Sequence, residues 1–479
     1  MQTPTQPVEV ATPRVTSTPG VTPAKTSSSP TPTSTAKAKP SATLDASPED
    51  LQGIKISLWQ PWSAAVGEAL NALVSEFNAS NPYGITVDSV YQGNYNELYE
   101  SVQAAIAAGD PPNLAVGYNY EILQWNAGGG ETVDLNTYVD DPGWGLSSQE
   151  QDDFYPLFWG QEVFDGARRG LPAQRFAQLI VFDGARRGLP AQRFAQLIYY
   201  NLTWARELGF DAAPQTPQQF KRQACAAAAA NNRDDDPDNN GTGGWVTNTS
   251  PSAVLSWMYA FGGEVVNKAG TGYDFDTPQI QAAIAFLKDL YDSGCAWQVD
   301  GDFAEEEFAA RQALFVTASI ADLPEQKNAL DQAGNRDDWT VIAFPSPVEK
   351  PVIDVYGPAF AVFKSSPQEQ LASWVFLKWF LSAETQARWI AAGHTYPLQA
   401  STTQLLEDFA NAHPQWASAQ DLLPFAKSEP GLQSWGLVRW AVGDVGTQTF
   451  RSYFTPDRIP ATVELLDDTA AELHQRFEP

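Results

Sequence analysis

The chain has 479 residues, enough for two lobes with separate cores. It carries 57 acidic against 29 basic residues, and a surface with a net charge of −28 repels phosphate backbones, which argues against nucleic acid as a partner. No apolar run approaches the length of a membrane span, and the hydrophobic content of 43% is that of a globular protein.

Residues 1–50 differ in composition from the rest of the chain. They are rich in Pro, Thr, Ser and Ala and contain almost nothing to bury, which predicts a disordered tether with extended character. Such a segment most often holds a domain away from a surface, and a flexible tail without a role is the alternative. No signal peptide precedes it and no cysteine for a lipid anchor is present, so we expect either a leader that was removed or a truncated start.

The region from residue 53 onward alternates between strand and helix patterns. Period-2 runs predict strands over 54–59, 85–90 and 114–116, and helical spacing predicts helices over 65–77 and 95–108. This order is typical of a parallel α/β sheet.

The second half of the globular region has the same texture. Helices are predicted over 217–230, 252–261, 278–293, 305–312 and 366–391, and strands near 245 and over 313–317, 340–343 and 359–363. The last third reads as mostly helical.

An 18-residue segment occurs twice in succession. Residues 163–180, VFDGARRGLPAQRFAQLI, are repeated letter for letter as 181–198. Two identical strands cannot occupy one position in a sheet. Because Tyr199, Tyr200 and Asn201 continue the second copy directly, we predict that it enters the sheet and that the first, with Arg168 and Arg169, is extruded as a loop. The added length costs about 1 kcal/mol in chain entropy.

Several short motifs, in this order and spacing, resemble one known family. They are Ala108-Gly109-Asp110-Pro111-Pro112-Asn113-Leu114, Gly188-Leu189-Pro190 with Leu197-Ile198-Tyr199-Tyr200-Asn201, Pro214-Gln215-Thr216-Pro217-Gln218-Gln219-Phe220, Phe360-Ala361-Val362-Phe363-Lys364-Ser365-Ser366 and Phe376-Leu377-Lys378-Trp379-Phe380-Leu381-Ser382. The chain from 54 to 477 thereby resembles the extracytoplasmic solute-binding proteins of ABC importers, family 1, the sugar-binding group that includes maltose-binding protein. Asn113, where an aspartate is usual, and the repeat depart from the family pattern.

The resemblance implies a type II periplasmic-binding-protein fold, with two α/β lobes whose sheets are mostly parallel and with extra C-terminal helices. We expect lobe 1 to hold 53–190 with 313–353, and lobe 2 to hold 191–312 with 354–479. A monomer of this family captures a sugar or oligosaccharide between the lobes and delivers it to the permease of an ABC importer outside the cytoplasm, without catalysis or a cofactor.

Sugars present flat C–H faces and a rim of hydroxyl groups, so aromatic rings and amides or carboxylates suit them. Side chains that follow parallel strands meet at one edge of a sheet. From lobe 1 we therefore predict these ligand-binding residues: Trp59, Gln60, Trp62, Tyr91, Asn94, Tyr118 and Tyr120. From lobe 2 we predict Trp245, Tyr356 and Trp435, with His394, Thr395 and Tyr396 as weaker candidates. For each lobe 1 residue, a place in the core or behind the ligand-contacting residues is the alternative, and for His394 the alternative is a solvated loop position.

Two further features concern metal and cysteine chemistry. Asp236, Asp238 and Asn240 resemble the first half of a calcium loop, but Thr247 stands where a bidentate Glu is expected, which favours a plain acidic turn. Cys225 and Cys295 are the only cysteines, and export makes a disulfide between them plausible, with two buried thiols as the alternative.

Two other functions are weighed against solute binding. A secreted carbohydrate-acting hydrolase on a stalk would need paired carboxylates, which 57 acidic residues supply too freely to discriminate. The chain has no Gly-x-Ser-x-Gly elbow, no His-Glu-x-x-His motif and only three histidines. A surface adhesin would need no cleft that closes.

Overall fold

The computed structural model describes residues 44, 47–127, 129–161, 163–165, 181–299, 304–348 and 350–477, with side chains omitted at 163–165 and 181–184. Most of the predicted tether and of the first repeat copy therefore lies outside the described residues. None of the helices in the described part combines the length and the apolar character that a membrane span requires.

The strands and helices, in chain order, have the following bounds. The strands are β1 (Lys55–Gln60), β2 (Thr86–Tyr91), β3 (Leu114–Gly117), β4 (Val163–Asp165), β5 (Val181–Arg186), β6 (Leu189–Pro190), β7 (Phe194–Asn201), β8 (Gly243–Val246), β9 (Ala296–Trp297), β10 (Ala313–Ser319), β11 (Trp339–Ile342), β12 (Ile353–Tyr356), β13 (Ala359–Val362) and β14 (Ala426–Ser428). The helices are α1 (Ala64–Ser80), α2 (Tyr95–Ala108), α3 (Asn119–Ala127), α4 (Asn136–Val139), α5 (Ser148–Asp153), α6 (Pro156–Gly160), α7 (Leu202–Glu207), α8 (Pro217–Asn231), α9 (Pro251–Ala260), α10 (Pro278–Asp292), α11 (Glu305–Ala309), α12 (Leu323–Gln332), α13 (Pro367–Phe380), α14 (Ala383–Gly393), α15 (Ala400–Leu405), α16 (Glu407–Ala412), α17 (Pro414–Gln420), α18 (Trp435–Thr449) and α19 (Ile459–Gln475).

Two sheets organise the chain. The first has the order β2-β1-β3-β13-β6, and the second has the order β14-β12-β7-β10-β8-β9 with β11 also paired to β7. The first sheet with α1, α2, α13 and α14 is called the first lobe here, and the second sheet with α8, α9, α10, α18 and α19 the second lobe. The α/β fold with two sheets and flanking helices agrees with the sequence-based prediction.

As expected, each sheet is mostly parallel, and one strand in each runs against the others. β1 runs parallel to β2 and β3, but β13 is antiparallel to β3. In the second sheet β7 is antiparallel to β10, β11 and β12, whereas β8 is parallel to β10. The antiparallel strand in each sheet, β13 in the first and β7 in the second, is the one that follows a crossing from the other sheet.

The predicted division of the chain after residue 312 is wrong. β10 and β11, expected in lobe 1, pair with β7 in the second sheet. β13, expected in lobe 2, pairs with β3 in the first sheet, and α13 and α14 pack on that side as well. The chain crosses between the sheets at residues 357–358, immediately after β12. The single helix predicted over 366–391 is two helices in the structure: α13 ends at Phe380 and α14 begins at Ala383.

The core does not divide into one cluster per lobe. β7 is buried on both faces: Leu197 and Tyr199 belong to the large cluster that also fills the first lobe, while Ile198 and Tyr200 belong to the second cluster under α9, α10 and α18. Alternation along a strand sends successive side chains to opposite faces, so one strand serves both clusters.

The second copy of the repeat lies in the sheets. Its β6 pairs with β13 in the first sheet, and its β7 lies at the centre of the second sheet. Residues 163–165 of the first copy form β4, which pairs antiparallel with β5. Arg168 and Arg169 lie outside the described residues, so the predicted loop stays a prediction.

Candidate functional site

A small cavity lies between the two lobes. Its volume is about 30 Å³, room for about two water molecules. Both lobes contribute to its walls. The lining residues are Tyr118, Asn119, Tyr120, Gln161, Val355, Tyr356, Gly357, Glu429, Pro430 and Trp435.

The first-lobe wall follows β3 directly. The Tyr118 and Tyr120 rings are stacked, with centroids 5.7 Å apart and planes inclined by 3°, and Tyr95 lies 5.1 Å from Tyr118. Glu121 fixes the turn, since its Oε2 accepts a hydrogen bond of 2.7 Å from the backbone N–H of Tyr118. Gly117 is required here, because a methyl group at that position would lie 2.7 Å from a ring carbon of Trp125.

The second-lobe wall comes partly from β12. Gln196 on β7 donates a hydrogen bond of 3.1 Å from its Nε2 to the hydroxyl of Tyr356, and Phe194 lies 5.9 Å from the Tyr356 ring. The next residue, Gly357, passes so close to the crossing segment before β7 that a methyl group there would overlap the carbonyl oxygen of Gln192. The tight crossing after β12 therefore fixes Tyr356 at the cavity.

The rest of this wall is the segment that leads from β14 into α18. The indole Nε1 of Trp435 donates to Oε2 of Glu429 at 2.7 Å, and the hydroxyl of Ser252 donates to Oε1 at 2.6 Å. The Arg439 Nη2 lies 3.9 Å from the same carboxylate. Two hydrogen bonds and a nearby cation thus hold Glu429 in a single orientation.

The lobes touch each other around the cavity. Gln161 donates from Nε2 to the Ser428 hydroxyl at 2.7 Å. Gln124 donates to the carbonyl oxygen of Gln433 at 3.1 Å. The Tyr120 ring lies against Gly436, where a methyl group would be 2.6 Å from its Cδ2. These contacts define a closed arrangement of the two lobes.

Burial raises the pKa of acidic groups close to the place where the two lobes meet. Burial raises the pKa of Glu121 to about 8, although the Tyr118 N–H bond and the charge of Arg439 oppose the shift. Burial also raises the pKa of Asp354 on β12 well above its ordinary value, and the negative charge of Glu429 adds to the effect. Desolvation likewise raises the pKa of the Tyr118, Tyr120 and Tyr356 phenols, which stay protonated.

Adjacent backbone segments cross between the lobes beside this cavity. Ala191 donates its N–H to the Pro358 carbonyl at 3.0 Å, and the guanidinium of the fully buried Arg193 donates to the same oxygen at 2.9 Å. Tyr396 donates its N–H to the Arg193 carbonyl at 2.9 Å. The crossing segments are thus hydrogen-bonded to one another, as a hinge requires.

Four of the ten predicted ligand-binding residues line the cavity: Tyr118, Tyr120, Tyr356 and Trp435. Trp435 is nevertheless fully buried in the second lobe. The other predicted residues lie elsewhere in the structure, for physical reasons that differ between them.

Three of these residues lie at the end of β1 and are not among the residues that line the cavity. Trp62 is 7% exposed, packs edge-on against Trp389 at 4.9 Å and donates to Gln192 at 2.8 Å. Gln60 is buried and accepts the Trp62 N–H. Trp59 is half-buried and packs against the first-lobe core. The crossing segment that carries Gln192 covers the end of this strand.

The remaining three also have structural positions. Asn94 is the N-cap of α2, and its Oδ1 accepts the N–H groups of Asn96 and Glu97. Tyr91 is 53% exposed at the end of the edge strand β2. Trp245 is fully buried against Phe220 and Trp257, so its predicted place across the cleft is corrected to the second-lobe core.

The weaker candidates are core and helix-end residues. Thr395 and Tyr396 are fully buried, and the Tyr396 hydroxyl donates to the Ala419 carbonyl. His394 ends α14 in the left-handed conformation, and burial, with the charge of His413 as a lesser cause, lowers its pKa to about 4.

The acidic turn at 236–240 is exposed and satisfied locally. Asp236 accepts the N–H of Asp238, and its own N–H donates to Asp234. No group of three or more His, Cys, Asp or Glu in the described part of the chain is arranged to hold a metal ion. The geometry favours the plain turn, and calcium binding stays a prediction. Cys225 on α8 and Cys295 beside β9 form a disulfide with Cα atoms 4.4 Å apart.

Sequence reasoning missed Asn119, Gln161 and Glu429. Asn119 lies between two predicted tyrosines, so the segment 118–120 carried a signal for it. Glu429 and Gln161 carried none, because they reach the cavity only through the packing of α18 and the contact between Gln161 and Ser428.

Comparisons with known proteins agree with this geometry. A search of curated proteins gives no significant match. Among solved structures, the sugar-binding protein MalE from Xanthomonas citri is similar with a TM-score of 0.71 and 20% identity, over 88% of this chain and 98% of that one. The cyclic α-maltosyl-1,6-maltose binding protein from Arthrobacter globiformis has a TM-score of 0.69 and 17% identity, over 88% and 99%. UgpB from Mycobacterium tuberculosis, in complex with glycerophosphocholine, has 0.68 and 17%, over 88% and 98%.

At such identities these structures show a shared fold. The sequence itself supplies the family, since residues 72–423 match the description "bacterial extracellular solute-binding protein". That match spans well over half of the chain and includes Tyr118, Tyr120 and Tyr356 at the cavity. The chain belongs to the bacterial extracellular solute-binding protein family.

Proposed function

We propose that this protein captures a sugar or oligosaccharide between its two lobes and delivers it to the permease of an ABC importer. One observation carries the proposal: aromatic rings from both lobes line the same cavity, together with the polar side chains of Asn119, Gln161 and Glu429. Tyr118 and Tyr120 come from one side, and Tyr356 and Trp435 from the other. Stacked rings suit the flat C–H faces of a sugar, and amide and carboxylate oxygens suit its hydroxyl groups.

The size of the cavity determines how the ligand enters. About 30 Å³ is far smaller than a hexose, so the lobes separate to admit a ligand and close around it. The crossing segments at Ala191 and Pro358 act as the hinge, since the chain passes between the two sheets there and the segments are hydrogen-bonded to each other. Ligand binding then shifts the population toward a closed form, and no bond is broken.

The similar solved structures support a sugar as the ligand, but they also include a protein solved with a different kind of solute. One of those named above is described as a cyclic α-maltosyl-1,6-maltose binding protein and another as a sugar-binding protein, and the third was solved with glycerophosphocholine. The aromatic walls of this cavity fit the first kind of solute best. The hydrolase alternative gains no support, because the matched family consists of binding proteins.

Family membership places the chain outside the cytoplasm. We further propose that segment 1–50 tethers the protein to the cell surface, because its Pro-, Thr- and Ser-rich composition suits a spacer of about 40 Å. Such a tether would keep the binding lobes within reach of a permease. Proteolytic removal of this segment is expected to release the protein from the membrane fraction and to leave ligand affinity unchanged.

A ligand screen tests the main proposal. Thermal unfolding is measured with mono- and oligosaccharides and, in parallel, with amino acids and glycerophosphodiesters. We expect sugars alone to raise the melting temperature, and calorimetry then gives the affinity. X-ray scattering with saturating sugar is expected to show compaction. Stabilisation by a non-sugar solute only, or turnover of the sugar, would overturn the proposal.

A further inference from the structure

Two hydrogen-bond acceptors, Glu429 and Asn119, lie on opposite walls of the interlobe cavity beside the tyrosine hydroxyls. Glu429 presents a carboxylate, and neither lysine nor arginine is among the described lining residues. On the opposite wall the Asn119 side chain donates from Nδ2 to the Gln161 carbonyl at 2.8 Å. Its Oδ1 is buried and has no hydrogen-bond partner among the described residues. A buried acceptor without a donor is costly, so this site is built for a solute that brings donors.

Glu429 has acceptor capacity left after its protein contacts. Ser252 and Trp435 each occupy one direction on one of its oxygens. A carboxylate offers about four such directions, so about two remain for a ligand. Because the two protein donors fix the plane of the carboxylate, those directions are fixed as well. Bonds to such an oriented, ionised acceptor are about twice as strong as neutral ones.

The positive charge of Arg439, which lies near Glu429, does not make the site favour anionic solutes. The Arg439 Nη2 lies 3.3 Å from the Ser252 hydroxyl and 3.9 Å from Glu429, so the charge of Glu429 already balances it. Asp354, fully buried on β12, adds a second carboxyl group near Glu429, and neither of its oxygens has a hydrogen-bond partner among the described residues. An anionic solute would therefore meet the Arg439–Glu429 ion pair with a second carboxyl group, that of Asp354, close to it.

From these contacts we infer that Glu429 and Asn119 are the specificity-determining pair of the cavity, selecting uncharged, hydroxyl-rich solutes and excluding anionic ones. The inference rests on the proposed sugar-binding function and deepens it. Hydroxyl groups donate to both acceptors, whereas a carboxylate or phosphate donates to neither and is repelled by Glu429. Glu429 acts by direct contact with the ligand, and Ser252 is a positioning residue for it.

Matched pairs of neutral and acidic sugars test the inference by calorimetry: glucose and glucuronate, galactose and galacturonate, maltose and maltobionate. We expect at least one neutral sugar to bind, about a hundredfold more tightly than its acid. Glu429→Gln keeps the shape and removes the charge. It is expected to weaken the neutral sugar about tenfold to a hundredfold and to reduce the preference over the acid to less than about tenfold.

Two further variants separate recognition from folding. Asn119→Ala deletes the unpaired acceptor and is expected to weaken the neutral sugar about tenfold without improving the acid. Glu472→Gln removes an exposed carboxylate of the same lobe, which pairs with Arg476, and should change neither affinity. If Glu429→Gln does not fold, Asn119→Ala and the acid preference of the wild-type protein still decide.

The outcomes are distinguishable. Equal affinity for a neutral sugar and its acid, or unchanged preference in Glu429→Gln, overturns the inference while sugar binding stands. Failure of all six sugars and of the wider screen overturns the proposed function itself. Weaker neutral-sugar binding in Glu429→Gln, with an unchanged melting temperature and a smaller preference over the acid, supports the inference.

Discussion

The first sheet presents aromatic segments at the carboxyl ends of two neighbouring parallel strands, β1 and β3, and these segments meet different surroundings. After β3, Tyr118 and Tyr120 stack on each other and face α18 of the second lobe across the cavity. After β1, Trp62 turns under the crossing segment, where Gln192 and Trp389 enclose it. Both segments lie at the carboxyl ends of strands, where ligands are expected in α/β sheets, but only the β3 segment lines the cavity.

The difference lies in what covers each strand end. β3 is followed at once by α3, so its tyrosines stay at the interlobe seam. β1 is followed by a loop that passes beneath the hinge. There Trp62 stabilises the crossing segment and does not line the cavity. The rule therefore identifies an edge of the sheet, and the course of the crossing segments decides which part of that edge is open.

The largest expected effect is a loss of stability, and it distinguishes the segment after β1 from the segment after β3. Trp62→Ala leaves a void among Phe360, Trp389 and Gln192, so we expect the free energy of unfolding to fall by about 3–5 kcal/mol. Urea denaturation measures this, with Trp440→Ala, whose ring is 58% exposed, as a control that changes it by less than about 0.5 kcal/mol. If stability were unchanged and sugar binding were lost, Trp62 would be a ligand-binding residue after all.

A second test concerns the acid beneath the tyrosines. The pKa of Glu121 is about 8 in the fold against an ordinary 4.5, because burial disfavours the charged form. The stability due to its protonated form is complete below pH 4.5 and declines as the pH rises toward 8, by at most about 1.4 kcal/mol per pH unit.

Glu121→Gln cannot ionise at this position. We therefore expect the variant to gain stability over the wild-type protein progressively between pH 5 and pH 8, as measured by urea denaturation at several pH values. Other buried acids, such as Asp322, whose pKa burial raises to about 6, are common to both proteins and cancel in the difference. Parallel stability curves for the two proteins would show that Glu121 is already ionised in the fold.

A third test addresses the ring pair at the cavity. Tyr118→Ala removes a ring that faces the ligand, so we expect sugar affinity to fall about tenfold or more. The melting temperature should change less than in Trp62→Ala. Tyr83→Ala removes a first-lobe ring that packs on Trp144, away from the cavity, and serves as the matched control in calorimetry. Equal loss of affinity in both variants would point to a general loss of packing.

Local patterns predicted the elements well and their assembly less well. The helix 95–108 was placed correctly because Asn94 and Glu97 form a capping box and Gly109 ends the helix in the left-handed conformation, all within one stretch of sequence. The assignment of 313–353 to lobe 1 failed, because the pairing of β10 with β7 depends on contacts between residues far apart in the sequence.

The site shows the same limit. Tyr118 and Tyr120 were predictable from their position after β3. Glu429 was not, since its role depends on Ser252, Trp435 and Arg439, which the fold brings together from α9 and α18. Asn94 has the residue type of a ligand-binding amide, but the start of α2 uses its oxygen as a cap.

The smallest expected effect tests whether the two lobes close on the β3 segment. A methyl group at Gly436 would lie 2.6 Å from Cδ2 of Tyr120, closer than real carbon contacts allow, so Gly436→Ala holds the lobes slightly apart. Sugar affinity is expected to fall about fivefold, the cost of a mild overpacking of the closed form. The open form has no such clash.

The same substitution should not destabilise the fold. Gly436 is the second residue of α18 and lacks a positive φ, so alanine fits the helix and is a better helix former than glycine. We therefore expect a melting temperature at or above that of the wild-type protein together with weaker binding and less compaction in scattering. Leu437→Ala, at a neighbouring position that is 43% exposed, should leave affinity unchanged. Opposite signs for stability and affinity would tie the Tyr120 wall to closure, and unchanged affinity would show that the ligand-bound lobes do not meet at Gly436.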